Sequence, residues 1–293
     1  MRVTDMMDTV LSAIWQAQNN EQTAVEQLSS GKRVNRPSDD PAAAAADVLN
    51  EDQQSQVDQF LQSTNSLNSL FQTADSALNT TITALNQAVS LGTEGANGTL
   101  SASDLQSVTA SVQGVLDTVM QAANTSYQGS YIFGGTATTT VPFSNTAGDV
   151  VYNGNGDLNQ AYIADGRSIQ TNLPGSQLFT EPGSDVMGSL QQLITALQSG
   201  DSTAISNATT SVSTALNYLS GQRVFYSNAM SQISDEQTTL NQESTDLKSQ
   251  ENTLVGADMA QAALAVTQAQ TDDQAVLAAA AKVLPVTLLD YLK

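Results

Sequence analysis

The chain of 293 residues carries 29 acidic and 9 basic side chains, a net charge of −20, and contains neither cysteine nor histidine. This excludes disulfides, thiolate and imidazole metal sites, cysteine nucleophiles and Ser-His-Asp triads, and charge of this sign repels phosphate backbones and anionic lipid alike. With 40% hydrophobic and only 13% charged residues the chain is too apolar to be disordered, so a folded non-enzyme is expected, with no cofactor and no nucleic-acid or membrane partner.

No stretch approaches the about 18 apolar residues of a membrane span, and Asp5 and Asp8 fall where a signal peptide has its basic start and apolar run. Residues 1–30 instead carry a seam spaced alternately four and three: Val3, Met7, Val10, Ile14, Ala17, Glu21, Ala24 and Leu28. That spacing predicts a helix packed along another helix. Gly31 ends it, and Lys32, Arg33 and Arg36 form a basic cluster in a linker, either solvated or facing an acidic neighbour. Asp40 reads as an N-cap with Pro41 at the first helical position.

A second helix is expected from Ala42 to about Leu91, where Gly92, Gly95 and Gly98 stop it, and a third from a Ser101 or Ser103 cap towards Tyr127. Between Gly129 and about Asp185 the composition turns to glycine, proline and short β-favouring runs: Tyr131–Phe133, Val150–Tyr152, Ala161–Ile163 and Ser168–Gln170. A small β domain inserted in a helical protein follows.

After a short helix near Leu190–Leu197 comes the strongest periodicity in the chain. Ile205, Val212, Leu219, Tyr226, Ile233, Leu240, Leu247 and Leu254 recur at intervals of seven, with companions that begin small (Ala208, Ala215) and end polar (Glu236, Glu243, Gln250). A helix from Asp201 to Leu254 spans about 80 Å, more than the roughly 50 Å diameter of a compact globule of this size. The expected fold is therefore mainly α, an elongated rod of long antiparallel helices, coiled-coil-like, with the β domain inserted. Its parts are terminal helices at 1–36 plus 257–293, a helical rod at 41–128 plus 186–255, and the β domain at 129–185.

The last helical segment offers only a weak, alanine-rich seam of Met259, Ala263, Val266, Gln270, Asp273, Leu277, Ala280 and Leu284, interrupted by Pro285. The tail is apolar, with Leu288, Leu289, Tyr291 and Leu292. Two such segments make a poor core by themselves and need partners. The expected assembly interface is accordingly Val3, Met7, Val10, Ile14, Leu28, Lys32 and Arg33 on one side, and Met259, Ala263, Val266, Leu277, Leu284, Leu288, Leu289, Tyr291 and Leu292 on the other. Neighbouring copies of the chain are its first candidate partners.

No constellation points to chemistry. The pairs Asp39-Asp40 and Asp272-Asp273 sit on a capping turn and a helix face rather than across a cleft. Asn153–Asn159 spaces oxygens like a calcium loop but has Leu158 at the sharp-turn glycine and Ala164 at the bidentate glutamate, so it reads as a hairpin turn. Sequons at Asn79, Asn97, Asn124 and Asn207 are at chance frequency for so much Asn, Ser and Thr.

With both ends in view, the chain resembles the flagellin family. Leu28-Ser29-Ser30-Gly31-Lys32-Arg33-Val34-Asn35, followed by Asp39-Asp40 and an alanine run, is similar to the family's N-terminal motif. Ser130–Thr136, Gly95–Ser101 and the closing Leu288–Leu292 set it apart from the filament-forming members. The resemblance implies an extracellular structural subunit of the bacterial flagellum joining hook to filament. It implies export through the flagellar type III system without a cleaved signal peptide, and terminal helices that form an inner coiled coil on assembly. The implied partners are an adjacent hook-associated protein, flagellin and a cytoplasmic export chaperone for the C-terminal segment. A filament flagellin is the near alternative and a carbohydrate-binding fibre protein the distant one. Family members sensed by an innate surface receptor present Arg-Val-Arg-Glu-Leu-Ala-Val on a helix; the matching stretch here is Thr83-Ala84-Leu85-Asn86-Gln87-Ala88-Val89, with neither arginine.

Overall fold

The computed structural model describes residues 3–146 and 149–291, with side chains described for 8–146 and 149–282. Helices α1 (Val3–Ser30), α2 (Pro41–Gly95) and α3 (Ala102–Ala123) come first. Three antiparallel two-stranded ribbons follow: β1 (Ser126–Tyr127) with β2 (Ser130–Tyr131), β3 (Phe143–Thr146) with β4 (Asp149–Tyr152), and β5 (Gln160–Ala164) with β6 (Arg167–Gln170). The chain returns through α4 (Gly175–Phe179), α5 (Val186–Ser199), α6 (Ser202–Val255) and α7 (Met259–Tyr291). The protein is mainly α, with long helices and a small strand-containing insert, as its periodicity predicts. The contacts group into two units, one of residues 1–58 and 242–293 and one of residues 59–241, divided inside α2 and inside α6.

Short polar side chains set the helix starts. Asp40 Oδ1 accepts from Ala43 N at 3.1 Å before Pro41 opens α2, and the same bond holds the Asp40 carboxyl below the usual carboxylate range. Ser101, not Ser103, caps α3, exchanging hydrogen bonds with Asp104 in a capping box. Asp201 Oδ1 accepts from Thr203 N and Asp258 Oδ1 from Ala260 N, both at 2.9 Å, at the starts of α6 and α7.

The expected stop of α2 at Gly92 does not occur, because the helix continues to Gly95. Both glycines face close neighbours. A Cβ at Gly92 would strike Thr209 Oγ1 of α6, and one at Gly95 would strike Leu197 Cδ2 of α5. Gly92 is thus a packing residue that admits a neighbouring helix rather than a breaker, while Gly95 both admits Leu197 and ends the helix. Helix α3 ends earlier than its periodicity suggests, at Ala123, because Asn124 turns its amide onto β3, donating to Phe143 O and accepting from Phe143 N, each at 2.8 Å.

In the unit of residues 59–241 the heptad residues Ile205, Val212, Leu219, Tyr226 and Ile233 are all fully buried, together with Phe71, Leu78 and Leu85 of α2 and Val112 and Val119 of α3. Phe71 and Tyr226 meet edge to face with ring centroids 5.9 Å apart. The ribbons join the same core through Phe133, Phe143, Ile163 and Ile169. Tyr127↔Ser130 closes the first ribbon around Gln128 and Gly129, both at positive φ, the geometry of a tight hairpin turn. Asn153–Asn159 is not a hairpin turn, since β4 pairs with β3 and β5 with β6. It is tied instead to Gly134–Thr136, where Asn155 Oδ1 accepts from Thr136 N at 2.8 Å and Asn155 Nδ2 donates to Thr136 Oγ1 at 2.7 Å.

Glu236 of α6 is 3% exposed, and its carboxylate pairs with Arg167 of β6, whose own side chain is largely exposed. Breaking a fully buried pair costs about 3–5 kcal/mol, and the exposed arginine reduces this to roughly 1–2 kcal/mol. Arg167→Ala is therefore expected to lower the unfolding midpoint in urea, and adding Glu236→Leu to restore most of the loss. A double variant no more stable than the single one would show that the charge is not the cause.

Candidate assembly interface

The unit of residues 1–58 and 242–293 is built around two turns that hydrogen-bond to each other. Gly31 sits at φ +68, the left-handed conformation glycine adopts freely. Beyond it Arg33 N donates to Val255 O at 2.6 Å, and Ala257 N donates to Gly31 O at 2.9 Å. This clasp joins the end of α1 to the start of α7, so the two helices run antiparallel from it.

The basic cluster of the linker is paired within the clasp. Lys32 Nζ lies 2.8 Å from Glu251, 3.7 Å from Asp47 and 3.8 Å from Glu51, three carboxylates within 4.8 Å of one another. Arg33 donates to Asp40 at 3.3 Å and to Leu254 O at 3.0 Å, and Arg36 to Glu26 at 3.0 Å. Asn50, buried, donates to Leu247 O at 2.9 Å. The bond to Glu251, reinforced by the neighbouring charges, raises the Lys32 pKa above its ordinary 10.5. A raised folded-state pKa contributes stability that is complete below the unfolded value and lost as pH climbs through the folded one. Lys32→Met is thus expected to destabilise this unit by about 1 kcal/mol at neutral pH, with the difference from the unchanged chain vanishing only in strongly alkaline buffer. Thermal melts across pH check this.

From the clasp, α1 and α7 pack through matching seams. On α1, Ala17 and Ala24 are buried and Val10, Ile14, Glu21 and Leu28 half-buried. These are the described members of the seam expected from spacing. On α7, Ala262, Ala269 and Ala280 are buried and Val266, Asp273 and Val276 half-buried. Val266, Asp273 and Ala280 are members of the expected seam, but the other column is shifted by one residue, so Met259, Ala263 and Leu277 face outward. The helix also continues past Pro285 to Tyr291. Val3 and Met7 lie in α1, and Leu284, Leu288, Leu289 and Tyr291 in α7, where the backbone alone is described; Leu292 lies outside the described residues.

The pair leaves much of its large apolar surface in water. Trp15 is 71% and Leu264 72% exposed, and Leu11, Val25, Met259 and Leu277 are exposed as well. Leu11, Trp15, Gln18, Gln22 and Val25 form a second four-three stripe on α1, one position beyond the inner seam. The buried seam is alanine-rich while the bulky side chains point out, the reverse of a self-sufficient core. Spacing alone did not single out Leu11, Trp15, Val25 or Leu264. The signal for the first three is the second stripe; Leu264 has none, because in an alanine-rich helix several registers look alike. Among the described residues no helix is long and apolar enough to cross a membrane.

The fold defines a class: a long-helix protein whose first and last helices, α1 and α7, pair into one arm with an apolar outer face. Residues 4–138 match the bacterial flagellin N-terminal helical region. Over 182 residues the chain is 32% identical to flagellar hook-associated protein 3 of Salmonella typhimurium, covering 61% of this chain and 57% of that protein. It is 28% identical to the flagellin of Listeria monocytogenes over 268 residues, 89% of this chain and 88% of that one. The solved structure of flagellar hook-associated protein 3 from Legionella pneumophila superposes with a TM-score of 0.64 at 13% identity, over 70% of this chain and 98% of that one. For FlgL of Bacillus cereus the TM-score is 0.58 at 21% identity, over 72% and 100%. The matches span about half the length of the hook-associated relatives, 57% and 48%. The chain is thus similar to proteins of the flagellin family, over its N-terminal region and over most of its length.

Proposed function

We propose that the chain is a structural, non-enzymatic subunit of the bacterial flagellum that joins hook to filament. It is exported by the flagellar type III system without a cleaved signal peptide and assembled outside the cell through its terminal helices. The observation that carries this reading is the α1–α7 arm, whose alanine seam is inside and whose Trp15, Leu11 and Leu264 are outside. Such an arm gains its core from neighbours. In this reading the interface is made of the sixteen residues expected from the sequence, with Leu11, Trp15, Val25 and Leu264 added. Its partners are copies of itself, an adjacent hook-associated protein and flagellin, with a cytoplasmic chaperone holding the C-terminal segment before export.

Similarity to the Listeria flagellin along 89% of the chain favours a second reading, a filament flagellin. Polymerisation of the purified chain separates the two. A junction subunit stays short or monomeric when seeded with its own fragments and adds to isolated hooks, whereas long filaments grown from the chain alone would support the flagellin reading.

The stretch Thr83–Val89 bears on recognition by the innate flagellin receptor. Leu85 and Ala88 are fully buried, so of the two positions that lack the arginine only Thr83 is exposed. The exposed face is Thr83, Asn86 and Gln87, all uncharged. An arginine anchor is worth about 2 kcal/mol or more, roughly thirtyfold in affinity. The expected result in a reporter-cell assay is a response at least that much weaker than to a sensed flagellin; equal potency would refute it.

A further inference from the structure

Three Asn-Gly steps occur in the chain, Asn97-Gly98, Asn153-Gly154 and Asn155-Gly156, and the structure treats them differently. Asn155 is held on both faces of its amide. Its Oδ1 accepts from Thr136 N at 2.8 Å and from Asp157 N at 3.3 Å, and its Nδ2 donates to Thr136 Oγ1 at 2.7 Å. Asn153 Nδ2 donates to Ser144 Oγ at 2.9 Å and to Val141 O at 3.4 Å. The following Gly154 is hemmed in, since a Cβ there would strike the Tyr152 hydroxyl. Asn97 lies exposed in the turn between α2 and α3, and its side chain has no hydrogen-bond partner among the described residues. Its backbone N donates to Glu94 O at 3.1 Å, and its carbonyl accepts from Thr99 N and Leu100 N. Gly98 N donates to none of the described groups, and nothing lies within 4 Å of where a Cβ would stand on Gly98.

We propose that Asn97 is a site of spontaneous deamidation in the folded protein and that Asn153 and Asn155 are protected from it. The Gly98 amide nitrogen, giving its proton to solvent base, forms a bond to Asn97 Cγ while the Cγ–Nδ2 bond breaks and ammonia leaves. The resulting five-membered succinimide takes up water and opens at either carbonyl, to aspartate or to isoaspartate. Glycine in the second position offers no Cβ to hinder the approach and lets the backbone turn towards it. The same step at Asn155 first breaks its amide hydrogen bonds, each worth about 0.5–1.5 kcal/mol net, so two or three of them slow it by about tenfold or more. The product adds a negative charge to a turn that already holds Glu94 and Asp104. The isoaspartate form also lengthens the backbone between Gly92–Ala96 and the capping box of α3.

The test is incubation of the full-length folded protein in mildly alkaline buffer, followed by peptide mass mapping and enzymatic detection of isoaspartate over time, with a urea-unfolded sample in parallel. The expected result is conversion at Asn97 about tenfold or more faster than at Asn153 and Asn155 when folded, similar rates at all three when unfolded, and loss of the early isoaspartate signal in N97Q. Equal rates at the three sites in the folded protein would overturn the proposal, as would an Asn97 that stays intact while the unfolded sample converts.

Discussion

Trp15→Gln combined with Leu264→Gln is expected to leave the isolated chain folded and to abolish its incorporation into the flagellum. Trp15 and Leu264 are 71% and 72% exposed, so the monomer should change by no more than about 0.5 kcal/mol. If neighbours cover them on assembly, each contributes about 1.5–3 kcal/mol, and the pair roughly 3–6 kcal/mol, a hundredfold to ten-thousandfold in association. Matching variants in the inner seam, such as Ala17→Gln and Ala269→Gln, should instead part α1 from α7. Circular dichroism of the purified chains and immunoblotting of sheared flagella give the two readouts. Normal incorporation of the outer-face variant would remove the arm's apolar face from the account.

The largest loss of stability is expected from Phe71→Ala. Phe71 is fully buried and packs edge to face on Tyr226, itself fully buried at the centre of the α6 heptad. Truncating a phenylalanine in such a core costs about 3–5 kcal/mol in transfer and cavity terms, a large share of a domain's whole stability. Val224→Ala, on the same stretch of α6 but exposed, should stay within about 0.5 kcal/mol. Urea titrations of both variants check the contrast. Equal midpoints would mean that the α2–α6 core relaxes around the cavity far more than close packing allows.

The same physics explains what could be read in advance. A large apolar residue every seventh position, as from Ile205 to Ile233, has one low-energy arrangement, so its burial follows directly from spacing. Alanine carries little such information. Spacing therefore places Val266, Asp273 and Ala280 in the seam but puts Ala263 and Leu277 where the fold has Ala262 and Val276, and it gives no sign of Leu264. Glycine misleads at Gly92 because its meaning depends on what approaches it, and Thr209 is far away in sequence. The strands β1 and β3 and helix α4 are too short to carry a period. β3 is fixed by the amide of Asn124, a contact across nineteen residues. Lys32 and Arg33 stood out as a basic cluster, but their partners Glu251 and Leu254 lie at the other end of the chain, and only the fold brings them together.

Whether the proposed junction role holds is decided by electron microscopy of cells from which the gene for this chain has been removed. Such cells should bear hooks without filaments and release flagellin into the medium, with filaments restored by the unchanged chain but not by the Trp15→Gln, Leu264→Gln variant. Filaments of ordinary length on cells lacking the chain would contradict it.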